Sequence, residues 1–288
     1  MAILLGVDTG GTYTDAVLMR DEETVIASAK ALTTRQDLAI GVSEAVKAVL
    51  AASFVSPQDI ALASLSTTLA TNALVEGQGA RVALIYIGFS ERDLAAQGLA
   101  DALAGDPVLV TAGGHSHSGS EVTPLDVALI ADWAAVQDVS AFAIAAQFGT
   151  RNPAHEVAAR EAVRAATGRP VTCSHELSAK LGGPKRALTA VLNARLIGLT
   201  HRLIGRAEGA LRELGIDAPL MVVRGDGALM SAAQAQERPI ETILSGPAAS
   251  IVGARWLTGA DQALVSDIGG TTTDIAVLRN GQPVIDPD

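Results

Sequence analysis

One short pattern occurs twice in this chain, in a fixed register. Residues 5–18 read Leu-Gly-Val-Asp-Thr-Gly-Gly-Thr-Tyr-Thr-Asp-Ala-Val-Leu, and residues 265–277 read Val-Ser-Asp-Ile-Gly-Gly-Thr-Thr-Thr-Asp-Ile-Ala-Val. A shift of 259 carries Asp8 onto Asp267 and Asp15 onto Asp274 (267 − 8 = 259; 274 − 15 = 259). The same shift carries Gly10, Gly11, Thr12 and Thr14 onto Gly269, Gly270, Thr271 and Thr273. Each copy reads as an apolar strand, a tight turn and a second apolar strand. The Gly-Gly pair is expected to adopt positive φ, so that the turn curls its N–H groups around an anion. The threonine hydroxyls add donors beside them. Asp8 and Asp267 are acceptors, which suits Mg²⁺ or a metal-bound water. A single copy fits an ordinary hairpin, since such turns need glycine anyway. Two copies in register favour a duplicated phosphate clamp.

Bulk properties narrow the class. The chain has 288 residues, 49% of them hydrophobic, which predicts a globular fold. Its formal net charge of −10 argues against a nucleic-acid surface. The single cysteine, Cys173, excludes an internal disulfide and a cysteine cluster for zinc, and fits a reducing cytoplasm. The opening residues run straight into the first hairpin without a basic segment, so they do not read as a signal peptide. No apolar run is long enough to span a membrane.

Strands are expected at 17–19 and 24–31, then a helix through Leu38, Val42, Ala45, Val46 and Val49 at helical spacing. A strand at 60–65 enters Ser66-Thr67-Thr68-Leu69-Ala70-Thr71-Asn72, where the hydroxyls read as helix caps. Apolar strands are expected at 81–87 and 141–146. Another at 108–110 ends in Gly113-Gly114-His115-Ser116-His117; two histidines at that spacing are a weak metal pair with no evident third ligand. Asn152-Pro153 starts a helix, which makes His155 and Glu156 helix-start residues. One long helix covers 185–214. A strand at 220–223 ends in Arg224-Gly225-Asp226-Gly227, an adhesion tripeptide by chance. Ser245 is expected to cap a helix of small residues, Gly246, Ala248, Ala249, Gly253 and Ala254.

Paired Asp-x-Gly-Gly-Thr hairpins resemble the two phosphate motifs of the actin, sugar-kinase and heat-shock-chaperone ATPase superfamily. Within it, the chain is similar to the hydantoinase/oxoprolinase family of the hydantoinase A type. The segments 66–76 and 237–250, the Gly-Gly-His turn with Gly119, Glu121 and Pro124-Leu125-Asp126, and Asn152-Pro153-Ala154-His155-Glu156 carry this likeness. The resemblance implies an α/β, ribonuclease-H-like (actin-like ATPase) fold, with a mixed sheet opening in a β-hairpin. Residues 1–259 would form the first lobe, with an insertion around 100–215. Residues 260–288 would be the opening hairpin of a truncated second lobe, because no adenine-binding turn or second connector helix follows. The sequence therefore reads as a fragment, natural or prepared, which is expected to bind ATP weakly and either to self-associate or to fold its terminal hairpin back onto the first lobe.

The implied chemistry is ATP-dependent attack on a cyclic amide such as a hydantoin or 5-oxoproline, or on a ketone. ATP and Mg²⁺ would be the cofactors, and a hydantoinase-B-like subunit the partner. Asp8 and Asp267 would serve metal and attacking group. Gly10, Gly11, Thr12, Thr14, Gly269, Gly270, Thr271 and Thr273 would cradle phosphate. Thr67, Thr68, Asn72, His115 and Asp226 are the further cleft candidates. A small-molecule kinase, or a nucleotide-gated interaction module without chemistry of its own, would use the same hairpins.

Overall fold

The computed structural model describes residues 2–34, 37–77, 79–268 and 273–284. The chain divides into two compact units, 1–76 with 199–288, and 77–198.

The first unit begins with β1 (Ile3–Thr9), β2 (Tyr13–Arg20), β3 (Thr24–Leu32), α1 (Leu38–Ser53), β4 (Ile60–Thr67) and α2 (Leu69–Val75). β1 alternates strictly between buried and half-buried residues. Ile3, Leu5 and Val7 enter the core with Val42, Val46 and Val49 of α1. Burying a side chain of this size contributes roughly 1.5–3 kcal/mol. Leu4, Gly6 and Asp8 take the other face.

The second unit carries β5 (Val82–Ile87), α3 (Leu99–Leu103), β6 (Val108–Thr111), α4 (Val127–Ala135), β7 (Ala141–Ala146), α5 (Ala154–Thr167), β8 (Val171–Cys173) and α6 (Ser174–Leu177). Its four strands are all parallel, in the order β6-β5-β7-β8. β5 and β7 are buried along their whole length, which explains why they read as unbroken apolar runs.

α7 (Gly183–Glu213) serves both cores in turn. Ala187, Val191 and Ala194 pack in the second unit, while Leu203, Ile204 and Leu211 pack in the first. Back in the first unit follow β9 (Leu220–Val223), β10 (Leu229–Ser231), α8 (Ala232–Glu237), α9 (Ser245–Thr258), β11 (Ala263–Ile268), β12 (Thr273–Arg279) and β13 (Gln282–Pro283). The main sheet runs β10-β9-β4-β1-β2-β3. β1, β2 and β3 pair antiparallel, whereas β4 is parallel to both β1 and β9. The expected insertion at 100–215 and the second unit at 77–198 have different bounds. β5 already belongs to the second sheet, and α7 beyond Gly198 already belongs to the first core.

Two local expectations are corrected. Gly10 does not occupy the left-handed region; a Cβ there would lie 3.2 Å from the Tyr13 carbonyl oxygen, the atom that accepts the Gly10 N–H at 3.0 Å. Close approach, not positive φ, is what calls for glycine. Ser245 is the first residue of α9 and does not cap it, and Leu244 in the left-handed conformation precedes it. The Ser245 hydroxyl instead donates to the Thr67 carbonyl at 2.9 Å and accepts the Thr67 N–H at 3.3 Å.

The second unit is tied together by a buried charge. Glu156, 0% exposed, accepts from the Ser174 hydroxyl (2.6 Å), the Ala146 N–H (2.8 Å), the His175 N–H (3.0 Å) and His175 Nδ1 (2.6 Å). Arg186, also buried, reaches Ser174 Oγ at 3.3 Å and the Ala146 carbonyl at 2.8 Å. Burial alone would push the Glu156 carboxyl up, but the hydrogen bonds outweigh it and hold it below the usual carboxylate range. The folded pKa is therefore depressed, so Glu156 stabilises the fold above its unfolded pKa, and this contribution is lost as pH falls through the folded value. Glu156→Gln is expected to destabilise the protein by about 3–5 kcal/mol at pH 7, with the gap to wild type closing below about pH 4. Urea unfolding followed across that pH range checks both.

Candidate functional site

The face of the main sheet opposite α1 carries an open cleft of about 480 Å³, and Asp8, Asp15, Lys30 and Ser66 line one side of it. Strand pairing puts them there. Asp8 lies opposite Asp15 across the hairpin and beside Ser66 on β4. Asp15 lies opposite Lys30 on β3. The next row along the strands holds Ser64, Gly6, Val17 and Ser28. Gly6 has no side chain, so it leaves the floor of the cleft open.

Asp8 is the most perturbed group here. Burial raises its carboxyl above the ordinary value of 3.8; the Ser66 hydroxyl, which hydrogen-bonds to Oδ1, works against this, and the charges of Asp15 and Asp267 push it further up. Lys30 offsets part of that repulsion. Three carboxylates with one nearby ammonium leave an excess of negative charge, and that donor set suits a hard divalent cation.

The second hairpin repeats the first in register: Asp267 pairs with Asp274 as Asp8 pairs with Asp15. Asp267 accepts a hydrogen bond from the Ser250 hydroxyl of α9 at 2.5 Å. The expected phosphate-binding residues Gly269, Gly270 and Thr271 lie outside the described residues. Thr273 opens β12 and is exposed. In the first hairpin, the Gly10-Gly11-Thr12 turn is closed by the Gly10 N–H, and Thr12 accepts the Thr33 N–H at 2.9 Å. Thr14 is buried on the core face, with its hydroxyl 3.0 Å from that of Thr33.

The remaining candidates are dispersed. Thr67 accepts the Leu69 N–H at 3.1 Å in a local turn before α2, whose N-cap is Thr68 without a side-chain cap, and Thr68 accepts from the Asn72 amide at 3.2 Å. Asp226 sits on the β9–β10 turn, where it accepts the Ala228 N–H at 3.0 Å and pairs with Arg224 at 3.0 Å. In that turn a Cβ at Gly225 would lie 2.1 Å from the Ile243 carbonyl oxygen, so its glycine answers to packing.

His115 belongs to the second unit. It is 2% exposed, its ring lies 4.3 Å from that of His155, and its Nδ1 is buried without a partner. Burial and then the neighbouring His155 lower its pKa, which favours the neutral ring. His155 accepts the Gly114 N–H at Nδ1 (2.9 Å) and faces Glu121 through Nε2 (2.8 Å). His117 is exposed, so the two loop histidines differ in surroundings. Glu156, Cys173 and His175 are close enough to suggest a metal site. However, four donors already occupy the Glu156 oxygens, and burial pushes the Cys173 thiol far up, away from the thiolate a metal would need.

Three antiparallel strands followed by parallel β4 and β9 make a ribonuclease-H-like α/β sheet, and the Asp hairpin occurs twice. Residues 4–167 match the hydantoinase/oxoprolinase N-terminal region, and residues 186–288 match hydantoinase/oxoprolinase. The chain belongs to the hydantoinase/oxoprolinase family. It is 31% identical to caprolactamase subunit alpha of Pseudomonas jessenii, over 96% of this chain and 44% of that one. The crystal structure of the ATP-dependent caprolactamase from Pseudomonas jessenii superposes with a TM-score of 0.79 at 30% identity, covering 95% of this chain and 43% of that one. Nucleotide-free acetone carboxylase has the same fold, with a TM-score of 0.80 at 22% identity over 98% of this chain and 44% of that one. The chain thus spans less than half the length of these relatives.

Because the folded pKa of Asp8 is raised, its ionised form costs stability at neutral pH, and the cost fades as pH falls toward the unfolded value. Asp8→Asn is therefore expected to melt higher than wild type at pH 7, with the difference shrinking toward pH 4. Millimolar Mg²⁺ should raise the melting temperature of wild type and leave that of Asp8→Asn unmoved. Calorimetric melting with and without Mg²⁺ checks this.

Proposed function

We propose that the protein to which this chain belongs opens a cyclic amide at the expense of ATP. The observation that carries this reading is Asp8, a half-buried carboxylate crowded by Asp15 and Asp267 on an open cleft. Such an arrangement is costly for the fold alone and suits a metal-bound polyphosphate. The caprolactamase relative favours a lactam as acceptor.

When bound, ATP supplies the γ-phosphoryl group, and Mg²⁺ neutralises phosphate charge. Asp8 would hold the metal or its water shell, with its carboxylate fixed by Ser66. Asp267, fixed by Ser250, would orient the attacking group. Gly10, Gly11 and Thr12 would present the first turn to phosphate, and Gly269, Gly270 and Thr271 the second. The amide oxygen would bond to the γ-phosphorus, while the β–γ bridging oxygen leaves with its electron pair. Water would then add to the activated carbon. The ring C–N bond would break as the nitrogen gains a proton, leaving an acyl phosphate, and a second water would release phosphate from it to give the carboxylate. Positioning and charge neutralisation account for most of the rate in such a transfer.

A second, hydantoinase-B-like subunit is proposed because the caprolactamase relative is itself named as one subunit. We place the protein in the cytoplasm, where the one cysteine of this chain stays reduced. No helix of the described residues is long and apolar enough to cross a membrane. The outer face of β11 and β12, with Leu264, Ile275 and Val277 exposed, is proposed as the start of a second lobe.

The full-length protein, with its partner subunit, is expected to release ADP and phosphate in step with ring opening of hydantoin, 5-oxoproline or caprolactam. Asp8→Asn and Asp267→Asn are each expected to lower turnover by about a hundredfold or more while the fold is retained. Coupled ADP release and chromatography of the opened product measure both. Stimulation by a sugar alcohol in place of all three rings would refute the lactam reading in favour of a kinase.

A further inference from the structure

We propose that Lys30 is a further catalytic residue of this cleft, its ammonium group contacting the phosphoryl group in transit, with Asp15 as the positioning residue that holds it. The proposal rests on the ATP-dependent reading above. Ser66, Asp8, Asp15 and Lys30 form one continuous row across β4, β1, β2 and β3, each the direct cross-strand neighbour of the next. Neighbours in such a row stand on the same face, about 5 Å apart. Two steps along the row therefore bring an extended lysine side chain within reach of a group bound at Asp8.

Lys30 is the one lysine or arginine among the described residues that line the cleft. Its Nζ lies 3.2 Å from Asp15 Oδ1 and 5.0 Å from the centre of the Tyr13 ring. The pair is 56% and 49% exposed, so as a stability device it contributes little. Its charge nonetheless offsets part of the repulsion that raises the Asp8 carboxyl. Asp274, the counterpart of Asp15 in the second hairpin, has no ion pair among the described residues. The lysine is thus no requirement of the hairpin itself.

A phosphoryl group crossing this cleft would meet three carboxylates. Its charge is spread over three equatorial oxygens, and cationic donors at those oxygens lower the barrier. In the transfer, the acceptor oxygen–phosphorus bond forms, and the bond to the β–γ bridging oxygen breaks, with its electron pair leaving on ADP. Lys30 keeps its proton throughout and donates hydrogen bonds only.

The test uses the full-length protein with its partner subunit and whichever of hydantoin, 5-oxoproline or caprolactam is opened fastest. Lys30→Met, Lys30→Arg, Asp15→Asn and Asp8→Asn are compared with wild type. Besides kcat, calorimetry measures binding of Mg-ATP and of Mg-ADP with aluminium fluoride, a mimic of the phosphoryl group in transit. Lys30→Met is expected to lose about thirtyfold or more in kcat and in affinity for the mimic, with Mg-ATP affinity changed by less than about threefold. Lys30→Arg should recover part of the loss, and Asp15→Asn should fall between wild type and Lys30→Met. A Lys30→Met enzyme that keeps kcat and binds the mimic as wild type does, beside an inactive Asp8→Asn, overturns the role of Lys30 and leaves the ATP reading standing. Equal weakening of Mg-ATP and the mimic at unchanged kcat also overturns it. Wild-type turnover in Asp8→Asn overturns the ATP reading itself.

Discussion

The site depends on how β1 pairs with its two neighbours. Val7 points into the core and Asp8 into the cleft, because side chains alternate along a strand. A slip of one residue would bury Asp8 and expose Val7, so the apolar face enforces the register. Antiparallel pairing with β2 then sets Asp15 beside Asp8, and parallel pairing with β4 sets Ser66 on its other side. Like charges directly opposite each other weaken a sheet. The core beneath them, with Leu5 and Leu18 fully buried, offsets that repulsion and holds the carboxylates together.

Duplication gives two hairpins of one register, but the sheet elements around them differ. Asp8 takes its serine from β4, 58 residues later in the chain, and Asp267 takes its serine from α9, 17 residues earlier. In both aspartates one carboxylate oxygen accepts from a serine hydroxyl. That common state arises from two unrelated routes. It is an arrangement of the folded chain, since neither serine lies within the repeated pattern.

What could be read from the residues follows from periodicity. The opening strands, α1 and α7 were legible because each keeps one apolar face over many residues. The shared register of the two hairpins was legible because Asp, Gly and Thr recur at fixed offsets. The row from Ser66 to Lys30 was not, because it is assembled by three pairings of four strands, and Lys30 looks like any solvated strand residue. Glu156 was missed for a related reason. A glutamate in the first turn of a helix reads the same whether water or Ser174 and His175 meets it. The reason for Gly10 was misjudged because close approach and positive φ both select glycine, and the letter alone does not separate them.

The segments 66–76 and 237–250 carried much of the family likeness; the first was expected to contribute Thr67, Thr68 and Asn72 to the cleft, and the second to form a helix of small residues capped by Ser245. Their atoms show a mechanical use. The Ser245 hydroxyl both accepts from and donates to the Thr67 backbone, and the Leu244 N–H reaches the Thr71 hydroxyl at 3.0 Å. β4 is thereby fastened to the start of α9. Ser66, which holds Asp8, adjoins Thr67 on β4. Ser250, which holds Asp267, lies further along α9. A displacement of α9 would thus be felt at both aspartates, through Thr67 at one and directly at the other. Thr67 and Ser245 are buried, so a hydrogen bond lost between them would leave a polar group unsatisfied.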